Sequence, residues 1–289
     1  MDYTNPQYLI DANSLNERLT ADNLKVFDTS VNLIPQAGGT YNIISGQAEH
    51  ERAHIPGAGF IDLAEQWADT SSQLRFTLPA PDRLAAAIGA SGISNDDFVV
   101  LYSSGHLMWA TRAWWLLRHA GHTNMAVLNG NFRAWTEAGL PTESGPSEYP
   151  ATTFSIQAQA GAFVETAEVE AGMHGKVCTI NALNKSLYEG TGDFFYQRRG
   201  HIPGSLLMAF DDILDNEYFL PAEQLSAKLT AVGVLDADQV ITYCGGGIAA
   251  TLDAFACVLL GQENVGVYDG SMSEWVSDPN RPLTEGSLP

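Results

Sequence analysis

The sequence predicts an α/β fold in two similar domains, each built on a mainly parallel sheet flanked by helices. Short β-branched runs alternate along the chain with patterns typical of helices, which is the signature of βα units. A set of short motifs also occurs twice, in the same order, in the two halves of the chain. Two copies of so long a block indicate a duplicated domain, and a length of 289 residues suits two domains better than one core.

The repeated motifs define equivalent positions in the two halves. Each half contains His-Ile-Pro-Gly, then Leu-Pro before an alanine-rich stretch, then a β-branched run, and finally a glycine turn followed by a tryptophan. The copies are residues 53–58 and 200–205, 78–79 and 220–221, 98–103 and 239–244, and 127–130 and 267–270. This alignment places Ser103 of the first half opposite Cys244 of the second.

The predicted elements follow the same order in both halves. Strands are expected near residues 24–28, 58–61, 98–102, 125–128, 177–181, 205–208, 239–243 and 265–268. Flanking helices are expected near residues 82–90, 108–120, 222–232 and 248–260. Glycine and prolines disfavour regular structure over residues 143–150. We therefore expect a first domain over residues 1–143, a linker over 144–160 and a second domain over 161–289.

Cys244 is the most informative residue of the chain. It ends the run 239–243, and three glycines then lead into an apolar stretch of small residues. A strand that turns directly into a helix brings the thiol against backbone N–H groups without intrahelical partners. Glycines let those groups converge on an anion, and such surroundings stabilise a thiolate. The alternative is a buried structural cysteine, which we expect for Cys178 and Cys257 in their apolar runs.

Composition excludes several classes of partner. The formal net charge of −20 disfavours nucleic acid and acidic membranes, because both would be repelled. The sequence contains no apolar run of 18 residues, and its first residues lack a basic segment followed by an apolar one. Three cysteines without paired spacing indicate neither a disulfide framework nor a zinc site. We therefore expect a cytoplasmic protein without metal or organic cofactor.

Together, the two His-Ile-Pro-Gly elements, the glycine turns with Trp135 and Trp275, and the cysteine loop of the second half resemble the tandem-domain rhodanese family. This family comprises the thiosulfate and 3-mercaptopyruvate sulfurtransferases, and the resemblance covers nearly the whole chain. It implies a persulfide on Cys244 and a catalytically silent first domain. It also implies a small anionic sulfur donor, and as acceptor a thiol, a thioredoxin-like protein or cyanide. The residues implied as the cradle of the persulfide are Gly245, Gly246, Gly247, Ile248 and Ala249.

The sequence departs from the family pattern at two positions. Leu183 stands where members usually have an arginine that binds the donor, and Gly246 lacks the hydroxyl found in mercaptopyruvate-preferring members. Arg198 and Arg199 are the expected replacement, because a guanidinium pairs with a carboxylate through two hydrogen bonds. His54 matches the first-domain histidine of the family and is the third expected substrate-binding residue. The choice between 3-mercaptopyruvate and thiosulfate stays open.

Three other functions compete with this interpretation. Residues 50–54 match the zinc-hydrolase pattern His-Glu-x-x-His, but a proline at 56 should end any helix near His54. A phosphatase of related fold needs an arginine six residues after its cysteine, where this chain has Ala250. The third alternative is a non-catalytic tandem module that binds a partner or carries sulfur. The presence of Cys244 opposes it, because a loop that had lost its catalytic function would not require a thiol.

Overall fold

Each half of the chain forms its own five-stranded, fully parallel sheet. The computed structural model describes residues 2–37, 40–173, 176–193, 196 and 198–289. The strands of the first half are β1 (Leu9–Ile10), β2 (Leu24–Asp28), β3 (Val31–Pro35), β4 (Tyr41–Ser45), β5 (Gly59–Phe60), β6 (Phe98–Tyr102) and β7 (Met125–Leu128). Those of the second half are β8 (Phe163–Val164), β9 (Val177–Asn181), β10 (Leu206–Leu207), β11 (Leu214–Asp215), β12 (Tyr218–Phe219), β13 (Gln239–Tyr243) and β14 (Val265–Tyr268).

The strand order confirms the duplicated fold. The sheet of the first half has the order β1-β7-β6-β2-β5, and the sheet of the second half has the order β8-β14-β13-β9-β10. Equivalent strands therefore occupy equivalent positions, and all neighbours within these sheets are parallel. The remaining strands form two antiparallel hairpins, β3–β4 and β11–β12. All eight predicted strands are present, whereas the two-residue strands β1 and β8 and both hairpins were not predicted.

The helices lie between and around the sheet strands. Those of the first half are α1 (Ala12–Asn16), α2 (Gln47–Arg52), α3 (Pro81–Ala90), α4 (Met108–His119) and α5 (Asn131–Glu137). Those of the second half are α6 (Thr166–Gly172), α7 (Lys185–Tyr188), α8 (Ala222–Ala231), α9 (Ala249–Leu259) and α10 (Ser271–Trp275). The four predicted helices correspond to α3, α4, α8 and α9. The others are seven residues or shorter, too short for a helical period to be recognised.

The two halves share one hydrophobic core, in which α4 packs against α9. Every residue of α9 is buried, as expected for a helix that is apolar on all sides. The hydroxyl groups of Thr111 on α4 and Thr251 on α9 lie 3.0 Å apart at this contact. Since α4 follows the Ser103 loop and α9 follows the Cys244 loop, this packing brings the two equivalent loops to one interface.

Residues 144–160 form an extended segment that packs on the first half and contains no helix or strand. The amide of Thr152 donates to the carbonyl of Gly89 over 2.8 Å, and that of Gln157 donates to Ala120 over 2.9 Å. The ring of Tyr149 meets that of Phe27 edge to face. The segment is therefore held along its length. In the part of the chain that the structure describes, no helix is long and apolar enough to cross a membrane.

Candidate active site

Cys244 directly follows β13, the middle strand of the second sheet, and precedes the loop that leads into α9. The carboxyl ends of parallel strands are the usual ligand-binding edge of an α/β sheet. The residue is 3% exposed, and it lines a cavity formed by both halves of the chain. Strand β13 thus places the thiol at the edge of the sheet where a small molecule can reach it.

The conformation of the cysteine loop depends on Ser271. Its hydroxyl accepts hydrogen bonds from the amides of Cys244 and Gly247, each over 3.0 Å, and donates to the carbonyl of Tyr268. Gly247 has a φ of +75°, and a Cβ atom there would lie 2.5 Å from the carbonyl oxygen of Asp269. Glycine is therefore required at 247, both by the left-handed backbone and by the close approach.

Four amides of this loop remain available to a ligand. The N–H groups of Gly245, Gly246, Ile248 and Ala249 donate to no acceptor among the residues described. Three of them precede α9, and the fourth belongs to its first residue, so the positive end of the helix dipole adds to them. These four residues are among the five expected to form the cradle. The fifth residue, Gly247, instead donates its amide to Ser271 and so shapes the loop.

Arg112 of α4 holds the loop from the other half of the molecule. Its guanidinium is 1% exposed and donates to the carboxylate of Asp269 over 2.8 Å, and to the carbonyls of Gly247 over 3.2 Å and Phe76 over 2.5 Å. The second carboxylate oxygen of Asp269 accepts the amide of Leu78 over 2.7 Å. Sequence reasoning missed Arg112, because nothing in its helical pattern distinguishes it from a surface arginine.

The cavity in front of Cys244 is about 480 Å³ in volume and mostly apolar. The first half contributes the β3–β4 hairpin, the segment before α3 and the start of α4, and the second half contributes the cysteine loop and residues near α7. Its principal apolar residues are Leu33, Ile43, Phe76, Met108, Trp109, Leu183, Leu187 and Phe210. This volume falls within the range of small-molecule sites.

Two polar side chains near the thiol were not predicted. Arg75 is the only lysine or arginine among the described residues that line the cavity. Burial raises the pKa of Tyr196, and the negative charge of the nearby Cys244 thiolate raises it further. The phenol of Tyr196 is therefore protonated at neutral pH.

The structure does not bring the expected substrate-binding arginines to Cys244. Arg198 donates to the main-chain carbonyls of Asp278 and Arg281, over 2.7 and 2.5 Å, and Arg199 pairs with Asp193 over 2.8 Å. Both arginines border a different surface cavity. The guanidinium of Arg198 instead fixes the chain near the end of the second half. Neither arginine lines the cavity in front of Cys244, so the expected role in donor binding is not supported for this pair.

His54 is likewise outside the cavity. Its ring lies buried with Nδ1 2.8 Å from the carbonyl oxygen of His50, and its backbone pairs with Glu143 in both directions. The equivalent His201 makes the same pair of backbone hydrogen bonds with Thr284. The two repeated histidines thus anchor the end of each half, and the expectation that His54 binds substrate is not supported.

The zinc-hydrolase alternative finds no support in this geometry. Helix α2 ends at Arg52, so His54 lies beyond the helix that the motif requires. Across the described ranges, no group of three or more His, Cys, Asp or Glu side chains is arranged to hold a metal ion.

The loop of the first half, equivalent to the cysteine loop, already binds an acidic side chain. The carboxylate of Glu217, from the β11–β12 hairpin, accepts the amide of Leu107 over 2.5 Å and the Nδ2 group of Asn131 over 3.1 Å. Asn131 takes the place of Ser271, since its Oδ1 accepts the amide of Ser103 over 2.9 Å. The first loop therefore has neither a thiol nor a vacant anion-binding amide at Leu107.

The comparisons with known proteins cover both halves of the chain. A model of the Rhodanese-like domain matches residues 11–138 and 183–278. A probable 3-mercaptopyruvate sulfurtransferase of Pseudomonas aeruginosa is 34% identical, with 96% of this chain and 98% of the relative covered. A thiosulfate sulfurtransferase of Cricetulus griseus is also 34% identical, with 78% of each chain covered. The 3-mercaptopyruvate sulfurtransferase SseA of Escherichia coli superimposes with a TM-score of 0.82 at 28% identity, over 91% of this chain and 98% of that one.

Proposed function

The chain belongs to the rhodanese family, and we propose that it is a sulfurtransferase that works through a persulfide on Cys244. It takes sulfane sulfur from 3-mercaptopyruvate or thiosulfate and passes it to a thiophilic acceptor. The observation that carries the proposal is the position of Cys244 at the end of β13, in a cavity where four loop amides have no acceptor among the described residues.

In the first half-reaction, the Cys244 thiolate attacks the outer sulfur of the donor. With thiosulfate, the S–S bond breaks and its electron pair leaves with sulfite. With 3-mercaptopyruvate, the C–S bond breaks and its electron pair leaves as the enolate of pyruvate, which takes up the proton of the donor thiol. In both cases the transferred sulfur ends as an anionic persulfide, Cys244–S–S⁻.

The loop is suited to stabilise that product. The free amides of Gly245, Gly246, Ile248 and Ala249 can donate to the charged outer sulfur, and α9 adds the positive end of its dipole. These donors are already in place before the reaction, because Ser271 and Arg112 fix the loop from two sides. Little reorganisation is therefore needed when the charge moves from the thiolate to the persulfide.

In the second half-reaction, an acceptor removes the outer sulfur and regenerates the thiolate. A small thiol, a thioredoxin-like protein or cyanide attacks that sulfur as a nucleophile, and the electron pair of the S–S bond returns to Cys244. Since the donor product leaves before the acceptor reacts, ping-pong kinetics are expected.

Mass spectrometry of the donor-treated protein tests this proposal. Treatment with either donor should add the mass of one sulfur atom to the peptide containing Cys244, and a reductant should remove it. Cys178 and Cys257 are internal controls, because burial raises the pKa of both thiols and keeps them protonated. A Cys244→Ser variant should release no pyruvate, sulfite or thiocyanate. Equal turnover by this variant and the parent would remove Cys244 from the mechanism.

A further inference from the structure

Among the residues that the structure describes, one positively charged side chain, that of Arg75, lies on the mostly apolar lining of the cavity in front of Cys244. We propose that Arg75 binds the carboxylate of the sulfur donor, and that the site consequently prefers the monoanion 3-mercaptopyruvate to the thiosulfate dianion. This inference rests on the proposed function and assigns the donor-binding role to a residue of the first half. Arg75 would thus replace the arginine that family members usually have at the position of the apolar residue Leu183.

The guanidinium of Arg75 is free to bind a ligand. Its side chain is exposed and makes no hydrogen bond or ion pair with any residue that the structure describes. The other arginines considered for the site are occupied, since Arg112 is bound to Asp269 and Arg198 to main-chain carbonyls. In a chain of net charge −20, a local positive charge helps an anionic donor to enter, and Arg75 is the one lysine or arginine among the described residues that line the cavity.

The backbone next to Arg75 is tied to the cysteine loop. The carbonyl of Phe76 accepts from the Arg112 guanidinium that also donates to the carbonyl of Gly247. The ring of Phe76 packs against Trp109, with centroids 5.2 Å apart. Arg112 therefore links the segment that carries Arg75 to the loop that carries Cys244. A donor bound to Arg75 can therefore reach the Cys244 thiol without a change in the relative position of the two halves.

Charge balance determines which donor this arrangement favours. A guanidinium and a carboxylate form a planar pair with two parallel hydrogen bonds, and this pair neutralises the one charge of 3-mercaptopyruvate. Thiosulfate brings two negative charges toward a thiolate that is itself negative. Arg75 can neutralise one of these two charges. The other would enter mostly apolar surroundings without a cation, since no second lysine or arginine lines the described part of the cavity.

Steady-state kinetics of three variants test the proposal on the full chain. Arg75→Gln should raise the KM for 3-mercaptopyruvate roughly tenfold or more with little change in kcat, the pattern of lost ground-state binding. Arg75→Lys should recover part of the loss, because the charge remains without the fork. The control is Arg83→Gln, an exposed arginine on α3 paired with Asp69 outside the cavity, and it should match the parent. The parent should have the higher kcat/KM with 3-mercaptopyruvate.

A binding measurement separates this inference from the proposed function. Pyruvate carries the same carboxylate and cannot transfer sulfur, so its affinity can be measured by calorimetry in the Cys244→Ser background. Adding Arg75→Gln should weaken pyruvate binding by a similar factor. Equal affinities with and without Arg75, or a parent enzyme that prefers thiosulfate, would overturn the inference. Absence of any persulfide on Cys244 would instead overturn the proposed function, and the pyruvate result would still decide the role of Arg75.

Discussion

The guanidinium of Arg112 and the carboxylate of Asp269 form an ion pair of 2.8 Å that joins the two halves beside the Cys244 loop, with the arginine buried and the carboxylate 15% exposed. Asp269 also accepts the amide of Leu78, and Arg112 also holds the carbonyl of Gly247. The catalytic loop of the second half is therefore fixed in part by a helix of the first. A domain without its own nucleophile contributes directly to the geometry of the site.

Replacing Arg112 by leucine should lower both stability and activity. Loss of the arginine leaves the mostly buried Asp269 carboxylate without its counter-charge, so the free energy of unfolding should fall by roughly 3 kcal/mol, the lower end of the range for a broken buried pair. Release of the Gly247 carbonyl should lower kcat about tenfold or more, because small displacements of reacting groups are costly. Urea unfolding and turnover of the folded fraction measure the two effects.

Arg118→Leu is the matched control for that variant. Arg118 lies on the same helix and also pairs across the halves, with Glu263, but at the surface. Exposed pairs contribute little, so its unfolding free energy should change by about 1 kcal/mol or less. Similar losses of unfolding free energy in both variants would show that burial of Arg112 does not make its ion pair more stabilising than the surface pair of Arg118.

The Cys244 loop and the equivalent Ser103 loop of the first half are related by an approximate twofold symmetry. Asp269 accepts the amide of Leu78 over 2.7 Å, and the equivalent Asn129 accepts the amide of Phe219 over 3.0 Å. Two residues before those amides, Phe76 and Glu217 both have a positive φ. The ring of Phe76 lines the open cavity, whereas the carboxylate of Glu217 occupies the amide of Leu107. The difference between these two side chains leaves only one loop accessible to an anion.

Removal of the Glu217 carboxylate should destabilise the protein without affecting the chemistry at Cys244. In Glu217→Ala the amide of Leu107 loses its acceptor and the Nδ2 group of Asn131 keeps only the carbonyl of Gly105, which should lower the free energy of unfolding by about 1–3 kcal/mol. Glu217→Gln keeps one acceptor oxygen and should recover part of the loss. The kcat of the folded enzyme should match the parent in both variants. A decrease in kcat would show that the silent loop takes part in turnover.

The position of Cys244 between a strand and a helix was predictable from sequence because its signal is local. A β-branched run, a cysteine, three glycines and a small-residue helix follow one another without interruption, and the structure places β13, the loop and α9 on those residues. The duplication was predictable for the same reason. Equivalent motifs occur at equivalent positions of two sheets with the same strand order.

The residue proposed to bind the donor was not predictable, because the cavity draws on segments distant in sequence. His54 was expected because it matches the first-domain histidine of the family, and Arg198 because the usual arginine is missing at Leu183, yet in the structure both side chains hold the chain itself. Arg75 lies in a stretch without helix or strand periodicity, next to a phenylalanine with a φ of +59°. No local pattern indicates that such a residue lines the same cavity as a cysteine about 170 positions away, since that cavity depends on how the two halves pack together.

The second and third glycines of the cysteine loop should differ sharply in their tolerance of a side chain. Gly247→Ala places a methyl group against the Asp269 carbonyl at a positive φ, so stability and sulfur transfer should both fall. At Gly246 a Cβ atom would meet only the Ser273 hydroxyl, at 4.0 Å, so Gly246→Ala should fold as well as the parent. Thermal unfolding and persulfide formation test the pair. Equal effects at both positions would contradict the loop geometry.

Asp253 should make the protein less stable as the pH rises. It is fully buried on α9, and neither carboxyl oxygen has a hydrogen-bond partner among the residues that the structure describes. Burial raises its pKa well above the usual range, with a smaller contribution from the charge of Asp212. Between the ordinary pKa of an aspartate and the raised pKa of the folded state, the folded protein therefore keeps a proton that the unfolded chain has released. Folding then requires proton uptake, and stability falls as the pH rises above the ordinary pKa of an aspartate.

Asp253→Asn removes this proton uptake while keeping the shape of the side chain. Its advantage over the parent should be absent near pH 3 and should grow by up to ~1.4 kcal/mol per pH unit until the pH reaches the raised pKa of the folded state. Urea unfolding at a series of pH values measures it. Asp236→Asn, at an exposed position, should stay within about 0.5 kcal/mol of the parent throughout. A pH-independent difference for Asp253→Asn would mean that the buried carboxyl is ionised in the folded protein.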